Sequence, residues 1–177
     1  MSLGEQAILL CAPSGHGKST LVGELLRWEW SYLSDEVAPI DPISAKVLPL
    51  PLSPAKRVGG QRSVAARDVQ TLEKVSVDVQ PSMVSVVPCR ISHIYFLRYA
   101  PEGAPAAFAN CPSATAVLEL LRNSFNPEEL RDLEIQRLCG LIEQVECAYL
   151  TYTNAQEAAR QIVAAVACPT RSTDRTA

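Results

Sequence analysis

The apolar positions of the first fifty residues change period twice. Ala7 to Ala12 is a continuous apolar run that stops at Pro13-Ser14-Gly15, the pattern of a strand buried on both faces and entering a turn. Lys18 to Trp28 then places Leu21, Val22, Leu25 and Leu26 at helical spacing, with Glu24 and Arg27 on the other side. Trp30 to Ser34 is short and aromatic and reads as a second strand. The crossover before it is long enough to lay it parallel to the first. Val37 to Ile40 and Lys46 to Leu50 flank the turn tetrad Asp41-Pro42-Ile43-Ser44 and predict a hairpin, whose regularity ends at Pro49, Pro51 and Pro54.

From Ser53 to Arg67 the chain has no period; it is basic and Gly-containing, and it reads as a mobile loop carrying Lys56, Arg57 and Arg62. Val75 to Val79 alternates. Ile91 to Tyr99 and Ala106 to Ala109 read as strands separated by the turn Pro101-Glu102-Gly103. The last third is helical. A helix from Ala114 to Asn123 is capped by Ser113, and Asn126, Pro127 and Glu129 match a capping box that opens a second helix running to about Val145. Cys147 to Tyr152 is one more strand, and Asn154 with Glu157 repeats the box before a final helix from Ala155 to Ala167. The sum is an α/β fold: a single domain over residues 1–168, its mixed β-sheet flanked by helices, followed by a polar, frayed tail at 169–177.

Composition narrows the class. The 177 residues are 47% hydrophobic and 20% charged, as in one globular domain. The longest apolar runs fall far short of the roughly 20 residues needed to cross a bilayer, so no membrane span is expected. A net charge of −3 argues against a nucleic-acid partner, which needs many Lys and Arg contacts to phosphates. Cys11, Cys89, Cys111, Cys139, Cys147 and Cys168 include no C-x-x-C pair. With no signal peptide, they read as small buried hydrophobes of a reduced, cytoplasmic protein. Met1-Ser2-Leu3 runs almost directly into the first strand and reads as a remnant ahead of the fold, with further residues expected upstream.

The chemistry gathers at Ala12-Pro13-Ser14-Gly15-His16-Gly17-Lys18-Ser19, which fits the Walker A pattern except that Ala12 stands for the first glycine. Glycines let backbone N–H groups line a concavity, the following helix adds its positive end, and the lysine reaches the terminal phosphates. A bare pattern also arises by chance as an ordinary Gly-rich turn. Here it follows an apolar strand and opens an amphipathic helix, the context the pattern requires. The expected ligand is ATP with Mg2+, held by Pro13, Ser14, Gly15, His16, Gly17, Lys18, Ser19 and Thr20. Ser19 faces the metal, and His16 is a solvent-facing spacer. Asp35 and Glu36 follow the second strand at once. If that strand is parallel to the first, one carboxylate is placed to hold Mg2+ and the other to accept a hydroxyl proton; otherwise they are a solvated pair in a turn.

Other charged and aromatic residues carry blander readings. Lys56, Arg57 and Arg62 read as a solvated loop, with a clamp for a phosphate or acidic peptide as the alternative. Arg98 is a strand charge facing solvent, His93 a strand-end or core histidine, and Trp28 and Trp30 pack the end of the first helix against the sheet.

Ala12 to Ser19, then Tyr32-Leu33-Ser34-Asp35-Glu36-Val37-Ala38-Pro39-Ile40-Asp41, then Leu48-Pro49-Leu50-Pro51-Leu52, resemble the HPr kinase-related family of P-loop kinases. The resemblance covers residues 6 to 52 and extends faintly to about 167 through Tyr149-Leu150-Thr151-Tyr152. It implies a nucleotide core like that of phosphoenolpyruvate carboxykinase, and transfer of a phosphoryl group from ATP to a serine or other hydroxyl. Lys18 and Ser19 then bind phosphates and Mg2+, Asp35 is the base, and Glu36 replaces a second aspartate near the metal, with the two carboxylate roles exchangeable. The glycine-rich signature that follows the core in HPr kinases has no counterpart, so neither phosphorylase activity nor HPr as substrate is implied. The strand that precedes the loop in relatives is also missing, which predicts an uncovered sheet edge that favours a homo-oligomer. The acceptor, whether protein, peptide or small molecule, is not named by these residues. Two rivals stand beside the kinase: a non-catalytic or truncated nucleotide-binding module, and an ATPase or GTPase switch, for which neither a Walker B strand nor an N-K-x-D motif is found.

Overall fold

Met1 to Cys11 form a hairpin in the computed structural model, which describes residues 1–13, 16–34, 37–50, 79–100, 103, 105–125, 127 and 130–167. Strand β1 (Ser2–Leu3) turns at Gly4, whose φ of +58° suits a residue without Cβ, and pairs antiparallel with β2 (Gln6–Cys11), Ser2 opposite Ala7. Met1 is buried in the core. The opening tripeptide therefore packs with the fold, and β1 pairs the first residues of the β2 edge expected to lie open, from Gln6 to Ile8.

Helix α1 (Lys18–Leu26) buries Leu21, Val22, Leu25 and Leu26, the four residues whose spacing predicted it. The expected second strand does not form as such. Trp30 to Ser34 makes only isolated bridges, Ser31 with Ser2 antiparallel and Tyr32 with Val84 parallel. Its apolar pattern reflects burial of Trp30, Tyr32 and Leu33, not a ladder. Because this segment and β2 both oppose β1, it runs in the same sense as β2, with β1 between them. Trp28, expected to pack like Trp30, is 43% exposed.

The hairpin predicted around Asp41 is present in short form. Ile40 bridges Val47 within β3 (Lys46–Val47), and the Asp41 carboxylate accepts hydrogen bonds from the Ser44 amide and hydroxyl. A 3-10 turn at Pro81–Met83 precedes β4 (Cys89–Tyr99), the long central strand, buried from Ile91 to Leu97 except at Ser92. Strand β5 (Ala107–Asn110) follows, then α2 (Ser113–Arg122), α3 (Asp132–Ile142), β6 (Glu146–Tyr152) and α4 (Ala155–Ala167). Ser113 is the first helical residue of α2 and not its cap; Pro112, at φ −56° and ψ 145°, occupies the cap position without a side-chain hydrogen bond. Helix α3 starts later than predicted. Its box is built by the Arg131 amide donating to the Glu134 carboxylate at 3.2 Å, whereas Asn126 and Glu129 lie outside the described residues. At α4 the cap half of the expected box is present: Asn154 Oδ1 accepts from the amides of Gln156 and Glu157 at 2.9 and 3.2 Å.

The sheet runs β1-β2-β4-β6-β5, with β3 paired to the start of β4. Strands β2, β4 and β6 are parallel, and β1, β3 and β5 pair antiparallel with their neighbours, so the fold is α/β with a mixed sheet. Alternate residues of the parallel strands divide between two cores. Ile8, Tyr95, Leu97, Leu150 and Tyr152 pack with α1 and α4; Leu9, Ile94 and Phe96 pack with α2 and α3. All three parallel strands end on one edge, where β2 meets α1. No described helix is long and apolar enough to cross a membrane. The loop expected at 53–67, the alternation at 75–79 save Val79, Pro101, Glu102, Cys168 and the tail lie outside the described residues.

Candidate functional site

The turn from β2 to α1 is held by the end of β6. Gly17 adopts φ +77° and ψ 10° at the cap position of α1, a left-handed conformation that glycine takes without a Cβ penalty. A Cβ at this position would also lie 2.8 Å from the Tyr152 hydroxyl. That hydroxyl donates to the His16 carbonyl at 3.0 Å. Tyr152 is 1% exposed, and burial pushes its phenol up to about 12, so it remains a donor at any ordinary pH. A rigid strand thus fixes the backbone just before the helix.

Helix α1 begins without a side-chain cap at Gly17. Its first ladder bond is Leu21 N–H to Gly17 carbonyl at 3.0 Å, so the amides of Lys18, Ser19 and Thr20 lie outside the helical ladder, at the positive end of the dipole. Ser19 and Thr20 are exposed. The Lys18 ammonium folds back over the turn and donates to the carbonyls of Ala12 and, at 3.1 Å, Pro13. Pro13 is exposed. His16 is not the solvent-facing spacer expected: it is half-buried, and its Nδ1 is shut off from solvent without a hydrogen-bond partner among the described residues. Its carbonyl, drawn to Tyr152, pulls the residue toward the sheet. Ser14, Gly15, Asp35, Glu36, Lys56, Arg57 and Arg62 lie outside the described residues. The Ser34 hydroxyl donates to the Val37 carbonyl across the position of the two carboxylates in sequence.

Beside the turn is a small cleft of about 170 Å³. Ala12, Pro13 and His16 form one wall, and Phe96, Arg98 and Tyr149 come from the sheet. Glu119 of α2 and Asn123, just past its end, face them, and Cys11 also lines it. The Tyr149 hydroxyl donates to Glu119 Oε1 at 3.1 Å, and Arg122 reaches the same oxygen at 3.5 Å. Arg98 is exposed, as expected, but its guanidinium sits 3.6 Å from the centroid of the Tyr149 ring, a cation–π contact. Cys11 is also in contact with the second core, where burial disfavours its thiolate. Burial pushes its thiol up to about 12 despite the nearby Lys18 ammonium.

Tyr152, Glu119, Arg98 and Tyr149 as a set were not found by sequence reasoning. The Tyr152 to His16 contact spans 136 positions, and the Tyr149 to Glu119 contact 30, and neither leaves a local pattern. Elsewhere, His93 was expected as a strand-end or core histidine and is buried inside β4. Five described cysteines, Cys11, Cys89, Cys111, Cys139 and Cys147, are free thiols. No group of three His, Cys, Asp or Glu side chains suited to a metal ion occurs among the described residues.

The fold is thus an α/β sheet with helices on both faces and a glycine-shaped turn at the edge where its parallel strands end. No family model, curated protein or solved structure matches the chain.

Proposed function

We propose that the 12–19 turn is a P-loop for the phosphates of ATP with Mg2+, and that the protein transfers the γ-phosphoryl group to a hydroxyl acceptor. The observation that carries this reading is the left-handed Gly17 opening α1 while the Lys18 ammonium lies over the turn. The amides of Lys18 to Thr20 are donors outside the helical ladder, and the end of a helix favours anions. A bound phosphate would compete with the Ala12 and Pro13 carbonyls for the Lys18 ammonium. Ser19, exposed in the first turn of α1, fits a hydroxyl ligand for Mg2+, which when bound would neutralise charge on the phosphates. Asp35 and Glu36 are proposed on sequence as the base and second metal ligand, in either order. The direction of Trp30 to Ser34, the same as β2, leads toward the edge where the turn lies.

In the transfer, the acceptor oxygen bonds to the γ-phosphorus as the bond from that phosphorus to ADP breaks. The hydroxyl proton passes to the carboxylate. Positioning and charge stabilisation supply the rate.

Incubation with γ-labelled ATP and a set of hydroxyl acceptors tests the reading. Label in an acceptor, matched by ADP and abolished in Asp35→Asn while ATP still binds, is the expected result. Label released only as inorganic phosphate, independent of acceptor, would make the protein an ATPase. ATP binding with no ADP formed would make it a non-catalytic module.

A further inference from the structure

The cleft between the turn and α2 holds opposed charges on a rigid base. Glu119 is its carboxylate, steadied on Oε1 by Tyr149 and Arg122, so Oε2 carries neither of these bonds. Arg98 is its cation, its guanidinium laid over the Tyr149 ring, which itself packs against Phe96 with ring centroids 5.8 Å apart. The planar guanidinium presents several donors suited to a carboxylate or phosphate, and it is held by stacking on Tyr149, with no ion pair to an acid among the described residues. Its wall includes His16, whose buried Nδ1 lacks a partner among the described residues.

Size and position limit the occupant. At about 170 Å³ the cleft is smaller than the roughly 300 Å³ at which pockets for drug-sized ligands begin, a size that suits a compound of a few carbons. Ala12, Pro13 and His16 belong to the proposed phosphate loop, so whatever enters lies against that loop.

We propose that this cleft is the acceptor subsite and takes a small hydroxy acid, its hydroxyl bound by Glu119 and its anionic group by Arg98. The proposal rests on the kinase reading for the word acceptor, but not for the ligand class. In the ternary complex Glu119 acts as a binding group that orients the hydroxyl, while the proton's destination stays as described above.

The test is a titration of the intact chain, without nucleotide, with glycerate and lactate, followed by amide and arginine side-chain NMR. Shifts should centre on Arg98, Glu119 and Tyr149. Arg98→Ala should weaken glycerate binding at least tenfold, with Arg98→Lys restoring part of it, and Glu119→Gln should weaken it at least fivefold. All three variants alter partly or fully exposed groups, and an unchanged thermal midpoint will show that they fold. Neutral glycerol should bind more weakly and be indifferent to Arg98→Ala. No shifts with either acid, or shifts unaffected by the substitutions, would overturn the proposal. Hydroxy-acid binding by a chain that binds no Mg·ATP would support the ligand class and overturn the acceptor role, which separates this failure from that of the phosphate loop.

Discussion

The Tyr152 hydroxyl lies 3.0 Å from the His16 carbonyl oxygen and ties the last residue of β6 to the turn before α1. Removing that hydroxyl leaves the ring in place and a carbonyl without its donor. Tyr152→Phe should cost about 0.5–1.5 kcal/mol, the net worth of one hydrogen bond, in urea unfolding. Amide exchange at Gly17 and Lys18 should quicken by more than global stability explains.

Gly17→Ala meets two obstacles, the positive φ and the same hydroxyl at 2.8 Å. The backbone alone should cost about 1–2 kcal/mol. Since the ring carbon bearing the hydroxyl is at an ordinary 3.6 Å, Tyr152→Phe should relieve the steric part. The double variant should therefore lose less stability than the two single losses added together, which a double-mutant cycle will measure.

His93 is buried in β4, with its Nδ1 2.9 Å from the Ser92 hydroxyl and its ring stacked on Tyr95. Burial holds its imidazole below the ordinary 6.5, only partly offset by the Glu146 carboxylate at 3.5 Å. The folded state therefore resists a proton that the unfolded chain accepts. Stability should fall as pH drops through 6.5 and level off below the folded value. His93→Phe, which keeps the stack, should flatten the decline between pH 7.5 and 5.5. Equal slopes in urea titrations of parent and variant would contradict this.

Asn154 caps α4 through two amide hydrogen bonds. Asn154→Ala should destabilise the protein by about 0.5–2 kcal/mol, as at other helix N-caps, and Asn154→Asp should be nearly neutral; thermal or urea unfolding decides.

Legibility in the sequence followed the range of the interactions. Helix α4 and the turn at Asp41 are set by side chains bonding backbone three residues away or closer, so Asn154, Glu157 and Asp41 announced them. The core face of α1 was equally plain from Leu21 and Leu25. Trp30 to Ser34 misled because aromatic burial resembles a strand whether or not a ladder partner exists, and β1, only two residues long, had no period to reveal it. The start of α3 moved because the local box at Arg131 and Glu134 competes with the one at Asn126, and a basic residue in the cap position gave no warning. At the site, Gly17, Lys18 and Ser19 were readable as a motif. Tyr152 beneath them and the Glu119, Tyr149 and Arg98 group beside them were not, since only the folded sheet brings them together.

The most direct measurement is a calorimetric titration of the intact chain with Mg·ATP, run in parallel on Lys18→Ala. The account predicts saturable, one-to-one binding by the parent and a loss of at least tenfold in affinity for the variant, because the ammonium poised over the turn meets the terminal phosphates. Equal affinity in the two proteins, or no heat from the parent at millimolar nucleotide, would contradict it.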